Sequence, residues 1–196
     1  MVEPVAAAVE SPGSGSIVAF HADIDRATRR LHTVHAARLQ CRKGCSACCV
    51  DDLTVFEVEA AQVRLHHAEL LAVGTPHAAG SCAFLDERGA CRIYAERPYV
   101  CRTQGLPLRW SEETEHGSVE LRDICPLNEA GEPIAKLPAD ACWTLGPAEE
   151  RLALLQIAAE PRSPRTRLRD LFATASASPP LESAPAGATI RPRDAG

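Results

Sequence analysis

The chain of 196 residues is long enough for one ordinary domain with tails, and its net charge at pH 7 is −5. This acidic balance argues against a protein that coats nucleic acid, and no apolar run is long enough for a membrane-spanning helix. Because the N-terminus carries glutamates and no basic region, we expect no secretory signal and a cytoplasmic location.

The N-terminal part is predicted to be mainly helical. Ala, Pro, Gly and Ser dominate residues 1–15, a composition typical of disorder. Helical spacing predicts an amphipathic helix over residues 17–39, with an apolar stripe made of Ile17, Phe20, Ile24, Ala27, Leu31 and Val34. A second helix is predicted over about residues 55–73, begun by a capping box of Thr54 and Glu57. Its predicted inward face consists of Val58, Ala61, Leu65, Ala68 and Ala72.

Two hairpins and a last helix are predicted after residue 80. Residues 82–94 are typical of a β-hairpin around the turn 86–89, and a second hairpin is predicted over residues 106–124. If Leu85 pairs with Ala90 in the first hairpin, alternation places the thiols of Cys82 and Cys91 on one face. A helix is predicted to begin at Pro147.

The C-terminal part is rich in Pro, Ala and Arg. This composition predicts a disordered tail over residues 161–196 that contributes almost nothing to a metal centre. The metal-binding domain is then expected over residues 16–160. The predicted fold class is small α+β, with several helices and one or two short β-hairpins organised around a cysteine-ligated metal centre and flanked by disordered termini.

Nine cysteines, all between residues 41 and 142, are the most informative feature. An odd count without an export signal is typical of reduced thiols that bind metal or act in redox chemistry. Four of them fall within the nine residues 41–49, where small residues let the backbone curl so that several sulfurs converge. The sequence leaves open whether Cys142 is a ligand or a core thiol. The candidate metal ligands are Cys41, Cys45, Cys48, Cys49, Cys82, Cys91, Cys101 and Cys125.

Four further motifs follow the cluster. They are Cys82-Ala-Phe84-Leu85, Cys91-Arg-Ile93-Tyr94, Arg97-Pro98-Tyr-Val-Cys101-Arg102 and Cys125-Pro-Leu-Asn128. With them the chain resembles the YkgJ-type cysteine-cluster family, also described as CxxCxxCC zinc- or iron-chelating domains, over about residues 41–128. The first gap of the cluster is three residues here, where the family pattern has two. The resemblance implies a metal-chelating domain and no particular reaction.

The cofactor is expected to be an iron–sulfur cluster or Zn²⁺. Zinc modules commonly show two C-x₂-C pairs, whereas the order C-x₃-C-x₂-C with distant further cysteines slightly favours cluster ligation. With few aromatic residues, a metal can supply folding free energy and organise the fold. No nucleic acid or membrane is expected as a partner, and a protein partner stays open.

Two alternatives to a structural metal remain. The spacing Cys41-x₃-Cys45-x₂-Cys48 formally matches the motif of radical SAM enzymes, although Ala47 stands where those enzymes carry an aromatic residue. An iron–sulfur enzyme that acts on a protein or a small molecule is therefore one alternative. The other is a metal or redox delivery partner, which requires exposed thiolates.

Overall fold

The computed structural model describes residues 12–172, and it confirms the small α+β fold class. The first helix, α1, spans Pro12–Val34 and packs against helices from later in the chain: α2 (Glu57–His66), α4 (Tyr99–Thr103) and α5 (Pro147–Ala159). Helix α5 begins at Pro147 as predicted. The contacts bury an apolar cluster that we call the helix core: Ile17, Phe20, Ile24, Val58, Tyr99 and Leu152.

The predicted stripe of α1 is correct at Ile17, Phe20, Ile24 and Leu31 and wrong at two positions. Ala27 and Val34 are exposed, and the polar Thr28 and His35 are buried in their place. A stripe that continues every three or four residues from Ile24 passes through these positions. Each polar group finds a backbone partner, because Thr28 Oγ1 donates to Ile24 O and His35 Nε2 donates to Ala141 O.

The second predicted helix is broken into α2 and α3 (Ala68–Val73), which meet at His67. The predicted capping box is wrong, because Thr54 lies in the short strand β1 (Thr54–Val55) and Phe56 precedes α2. Of the predicted inward residues only Val58 is buried, whereas Ala61, Leu65, Ala68 and Ala72 are exposed. The buried face is instead shared by Val58, Glu59, Ala60, Gln62 and Val63.

A three-stranded sheet follows α4. Strands β2 (Leu108–Thr114) and β3 (Gly117–Asp123) are antiparallel, with Thr114 opposite Gly117, which confirms the second hairpin. Strand β4 (Trp143–Thr144) runs parallel to β2 on its other edge, so the strand order is β3-β2-β4. Short 3-10 turns over residues 126–128, 134–136 and 139–141 connect β3 to β4.

The C-terminal end of the described chain is packed. Strand β5 (Thr166–Arg167) pairs with β1, and Leu168, Leu171 and Phe172 are buried. The prediction of a disordered tail from residue 161 is therefore wrong up to residue 172, because large apolar side chains outweigh the proline-rich composition there. Residues 12–15, also predicted to be disordered, belong to α1. The rest of both predicted termini, residues 1–11 and 173–196, lies outside the described residues.

We call residues 165–172 the C-terminal strap. Its buried side chains join a second apolar cluster, against which Cys49 and Cys91 also pack. We call this second cluster the thiol-side core: Val55, Ala60, Val63, Leu71, Cys82, Ala83, Phe84, Leu85, Ile93, Leu168, Leu171 and Phe172.

No helix within residues 12–172 combines the length and apolar character that crossing a membrane requires.

Candidate metal centre

The turn between Cys82 and Tyr94 differs from the predicted hairpin. A single antiparallel bridge joins Leu85 to Cys91, one residue away from the predicted pairing with Ala90, and no strand ladder extends from it. Asp86 explains the shift, because its Oδ1 accepts hydrogen bonds from the backbone N–H groups of Arg88 and Ala90 and so enlarges the loop. The predicted shared face of Cys82 and Cys91 therefore does not come from a strand pair.

Backbone hydrogen bonds nevertheless bring the cysteine segments together. The N–H of Cys82 donates to Cys49 O at 2.9 Å, which ties the turn to the end of the first cluster. The N–H of Cys101 donates to Pro98 O at 3.0 Å, so α4 begins with the stiff turn that Pro98 predicts. The first of these bonds holds two separate chain segments side by side, and electrostatic interactions of Cys101 with Cys48, Cys82 and Cys91 connect the third.

Five thiols form one electrostatically connected set, which we call the inner thiol group: Cys48, Cys49, Cys82, Cys91 and Cys101. The side chain of Cys49 is hydrogen-bonded to Cys48. Cys49 also interacts with Cys82 and Cys101, and Cys101 interacts with Cys82, Cys91 and Cys48. The inner thiol group therefore combines five of the eight predicted ligands.

The environment of this group keeps most of its protons in place. Burial raises the pKa of Cys82 and of Cys91, and burial followed by the neighbouring thiols raises the pKa of Cys101 to about 12. The hydrogen bond between the vicinal pair lowers the pKa of Cys48 and raises the pKa of Cys49. A bound cation reverses this balance, because it stabilises the thiolates that burial and mutual repulsion disfavour.

The other three predicted ligands have different surroundings. Cys41 is exposed, and its Sγ accepts a hydrogen bond from Asn128 Nδ2 at 3.4 Å. Cys45 lines a surface cavity of about 450 Å³ together with Arg42, Lys43 and Leu127. Cys125 is half-buried, and its carbonyl accepts the N–H of Asn128 at 2.7 Å.

Cys142 stands in a different environment. It packs with Leu137 and Ala141, and burial raises its pKa. The charged groups around it are arginines and Glu120, and Arg122 Nη1 lies 3.9 Å from its Sγ. These contacts favour the core-thiol interpretation that the sequence left open.

The donor set fits zinc or iron in its chemistry. All nine cysteines are free, and thiolates are the ligands that Zn²⁺ and iron–sulfur clusters prefer. Within residues 12–172, no three Cys, His, Asp or Glu side chains already stand in the geometry that would hold a metal ion. A cysteine has a single side-chain torsion before its sulfur, so ligation needs rotations at several of the eight predicted ligands. Their convergence stays a prediction.

A buried carboxylate, which the apolar pattern did not predict, supports the Cys101 segment. Glu59 is 3% exposed, accepts the N–H of Tyr99 at 2.7 Å and lies 3.2 Å from His21 Nε2. It also interacts electrostatically with Cys101. Glu59 thereby connects the helix core to the inner thiol group.

Arg169 of the C-terminal strap fastens two cysteine segments at once. Its Nε donates to Asp51, which follows the first cluster, and its Nη2 donates to Ser81 O at 3.0 Å, directly before Cys82. Its Nη1 also donates to His77 O. No local sequence pattern indicates this role, because the partners lie 88 to 118 residues away.

Comparison with known proteins agrees with the cysteine pattern. Residues 40–126 match the family model CxxCxxCC, described as "Putative zinc- or iron-chelating domain". This segment is similar to the CxxCxxCC domain. The matched segment contains all eight predicted ligands and ends before Cys142, and the match confirms the resemblance predicted from the motifs. No curated protein and no solved structure matches the chain.

Proposed function

We propose that this protein binds zinc or iron through its CxxCxxCC domain, as Zn²⁺ or as an iron–sulfur cluster, and that the metal organises the thiol side of the fold. The observation that carries the proposal is the electrostatic interaction among the five free thiols of the inner thiol group, which come from three chain segments. Cys41, Cys45 and Cys125 complete the proposed ligand set.

The organising role follows from the local structure around these thiols. Residues 35–53 and 74–98 contain neither helix nor strand, apart from the bridge between Leu85 and Cys91. Such segments lack the regular backbone hydrogen bonds that stabilise helices and sheets. When metal ligation joins them, the free energy of binding becomes free energy of folding.

Metal analysis and absorption of anaerobically purified protein test the proposal. An iron–sulfur cluster gives visible charge-transfer bands, whereas Zn²⁺ has a filled d shell and gives none. Cys48→Ser should lower metal content, because serine does not supply a soft thiolate at neutral pH. Cys142→Ser is the matched control, since it removes a thiol outside the inner group. Wild-type protein without zinc or iron, or equal metal content in both variants, would overturn the proposal.

The exposure of Cys41 supports a second candidate function, metal delivery. Transfer of a metal between proteins requires a thiol that a partner can reach, and Cys41 is exposed while the inner group is not. Titration of accessible thiols before and after chelation separates the two functions. A closed structural site hides its thiols until the metal is removed, whereas a delivery site exposes Cys41 throughout.

The enzyme alternative gains no support from the nearby arginines. An iron–sulfur enzyme leaves one coordination position of its metal open for a small molecule. If that position lay near Arg97 or Arg102, a free guanidinium would be needed to bind the molecule there. Arg102 is buried, forms an ion pair with Asp25 at 2.6 Å and donates to the carbonyls of Ala95 and Arg97. Arg97 stacks 4.0 Å above the ring of Tyr94.

A further inference from the structure

We infer that Asn128 is a positioning residue for Cys41: its side-chain amide fixes the place of the Cys41 sulfur and donates an N–H to it when the thiolate ligates metal. This inference rests on the proposed function. It concerns a residue that lies two positions beyond the end of the family match at residue 126.

Every polar atom of the Asn128 side chain has a hydrogen-bond partner in the chain around it. The residue is 0% exposed. Its Oδ1 accepts the N–H of Gln40 at 2.7 Å, directly before Cys41. Its Nδ2 donates to Gly105 O at 2.7 Å and to Cys41 Sγ at 3.4 Å. One amide therefore holds both the backbone that leads to Cys41 and the sulfur itself.

Gly105 lies next to both the Cys41 sulfur and the Asn128 amide. Its φ of +89° is one that residues with a side chain rarely adopt. A Cβ added at this position would lie 2.6 Å from Cys41 Sγ and 3.2 Å from Asn128 Nδ2. The absence of a side chain at residue 105 thus leaves the space in which the sulfur sits against the amide.

The position of Asn128 along the chain is equally constrained. Its N–H donates to Cys125 O, which closes the 3-10 turn that Pro126 begins. The same turn therefore carries one proposed ligand, Cys125, and the amide that holds another, Cys41. Two proposed ligands that are 84 residues apart in sequence are linked through this one side chain.

The chemistry of sulfur gives the hydrogen bond a role beyond packing. A neutral thiol is a weak acceptor, whereas a hydrogen bond to a charged acceptor is shorter and roughly twice as strong as a neutral one. The Asn128 donor therefore gains most when Cys41 is a thiolate on a metal. Partners of this kind orient the ligand and tune the metal, and their loss typically costs about 10- to 100-fold in metal affinity.

Asn128→Asp tests the inference with Cd²⁺ as the probe. The aspartate keeps an oxygen for the N–H of Gln40 but loses the donor to Cys41. Gln156→Glu is the matched control, because Gln156 is also a buried amide that accepts one backbone N–H, from Val58, and donates to one carbonyl, of Glu160. Affinity is measured by chelator competition on the sulfur-to-cadmium absorption.

We expect Asn128→Asp to weaken Cd²⁺ binding by about 10- to 100-fold and Gln156→Glu to leave it unchanged. In a Cys41→Ser background, Asn128→Asp should add nothing, because the effect passes through the Cys41 sulfur. A second measurement needs no variant: in wild-type protein loaded with a spin-active cadmium isotope, the Asn128 side-chain amide proton should show scalar coupling to the metal through the N–H···S hydrogen bond.

The outcomes separate the inference from the proposed function. Wild-type protein that takes up no Cd²⁺ overturns the proposed function. Wild-type binding with equal affinities for Asn128→Asp and Gln156→Glu, with an additive effect in the Cys41→Ser background, or with no coupling at the Asn128 amide overturns the role of Asn128 alone.

Discussion

The helix core and the thiol-side core bury their side chains by different means. In the helix core, Phe20 of α1 contacts Tyr99 of the short helix α4, and Tyr99 contacts Trp143 of β4, with ring centroids 5.8 and 6.3 Å apart. The thiol-side core has two strands of two residues each, a turn with one bridge, and cysteines among its members. Helix packing dominates the first core, whereas much of the second consists of turns and of the C-terminal strap, and its segments are the ones that we propose metal ligation to join.

Removal of the metal should produce the largest difference between the two cores. Strong chelation under reducing conditions is expected to lower the melting temperature and to unfold the cysteine-rich middle of the chain, because its segments lose the groups that join them. Hydrogen exchange should accelerate over residues 74–98 and change least in α1 and α5. An unchanged melting temperature would show that the metal is not structural.

Truncation of a buried aromatic side chain should weaken metal binding in the thiol-side core but not in the helix core. Phe172→Ala removes a ring 4.9 Å from that of Phe84, and loss of a buried Phe costs about 3–5 kcal/mol of unfolding free energy. Phe20→Ala is the matched change in the helix core. We expect similar losses of stability by denaturant unfolding, but weaker metal binding only for Phe172→Ala. Equal metal affinities would contradict the role of the strap.

The strap also changes the expectation for a truncated chain. The sequence alone predicts that deletion of residues 161–196 leaves metal content intact, because this part contains no cysteine. The structure predicts the reverse, since the deletion removes Leu168, Leu171, Phe172 and Arg169 from the thiol side. A truncation after residue 172 is the control that spares these contacts. Metal content measured on both truncations checks the difference.

Glu59→Gln should have a smaller effect that reaches both cores. The glutamine keeps an oxygen for the N–H of Tyr99 but removes the carboxylate beside His21. Loss of a buried hydrogen bond to a charged group costs about 1–3 kcal/mol, so the melting temperature should fall modestly. Glu149→Gln, at an exposed position of α5, is the control and should leave it unchanged.

The smallest expected effect is the release of protons when metal binds. Burial raises the pKa of Cys82, Cys91 and Cys101, so these thiols hold protons near neutral pH in the absence of metal. Metal binding must displace those protons, so affinity falls as the pH falls from about 8 to about 6. The lowered pKa of Cys48 means that fewer protons leave than thiols bind. An indicator titration in weak buffer measures the number released.

Much of the architecture could be predicted where a local pattern determines the structure. The spacing of Ile17, Phe20 and Ile24 predicts the buried face of α1 correctly, and the hairpin of β2 and β3 follows from its turn. The cysteine motifs are also local, and they identify the CxxCxxCC domain over residues 40–126. In each case neighbours in sequence carry the whole signal.

Most features that the sequence did not predict depend on partners that are distant in sequence. Glu59 is buried because His21 and Tyr99 lie beside it, which reverses the face that apolar spacing predicts for α2. The strap pairs with β1 about 111 residues away, and composition alone makes its residues look disordered. The register at Leu85 shifted because Asp86 bonds its own turn. Tertiary contacts override local preference at Glu59 and in the strap, whereas the shift at Leu85 has a local cause.

The C-terminal strap also sets an order of events during synthesis. Translation proceeds at about 5–20 residues per second, and the chain emerges with its N-terminus first. Cys101 therefore leaves the ribosome several seconds before Arg169 and Phe172 do. Throughout this interval the loops that carry the inner thiol group lack the strap that later fastens them at Asp51 and Ser81. We therefore expect metal to reach these thiols most easily during this interval.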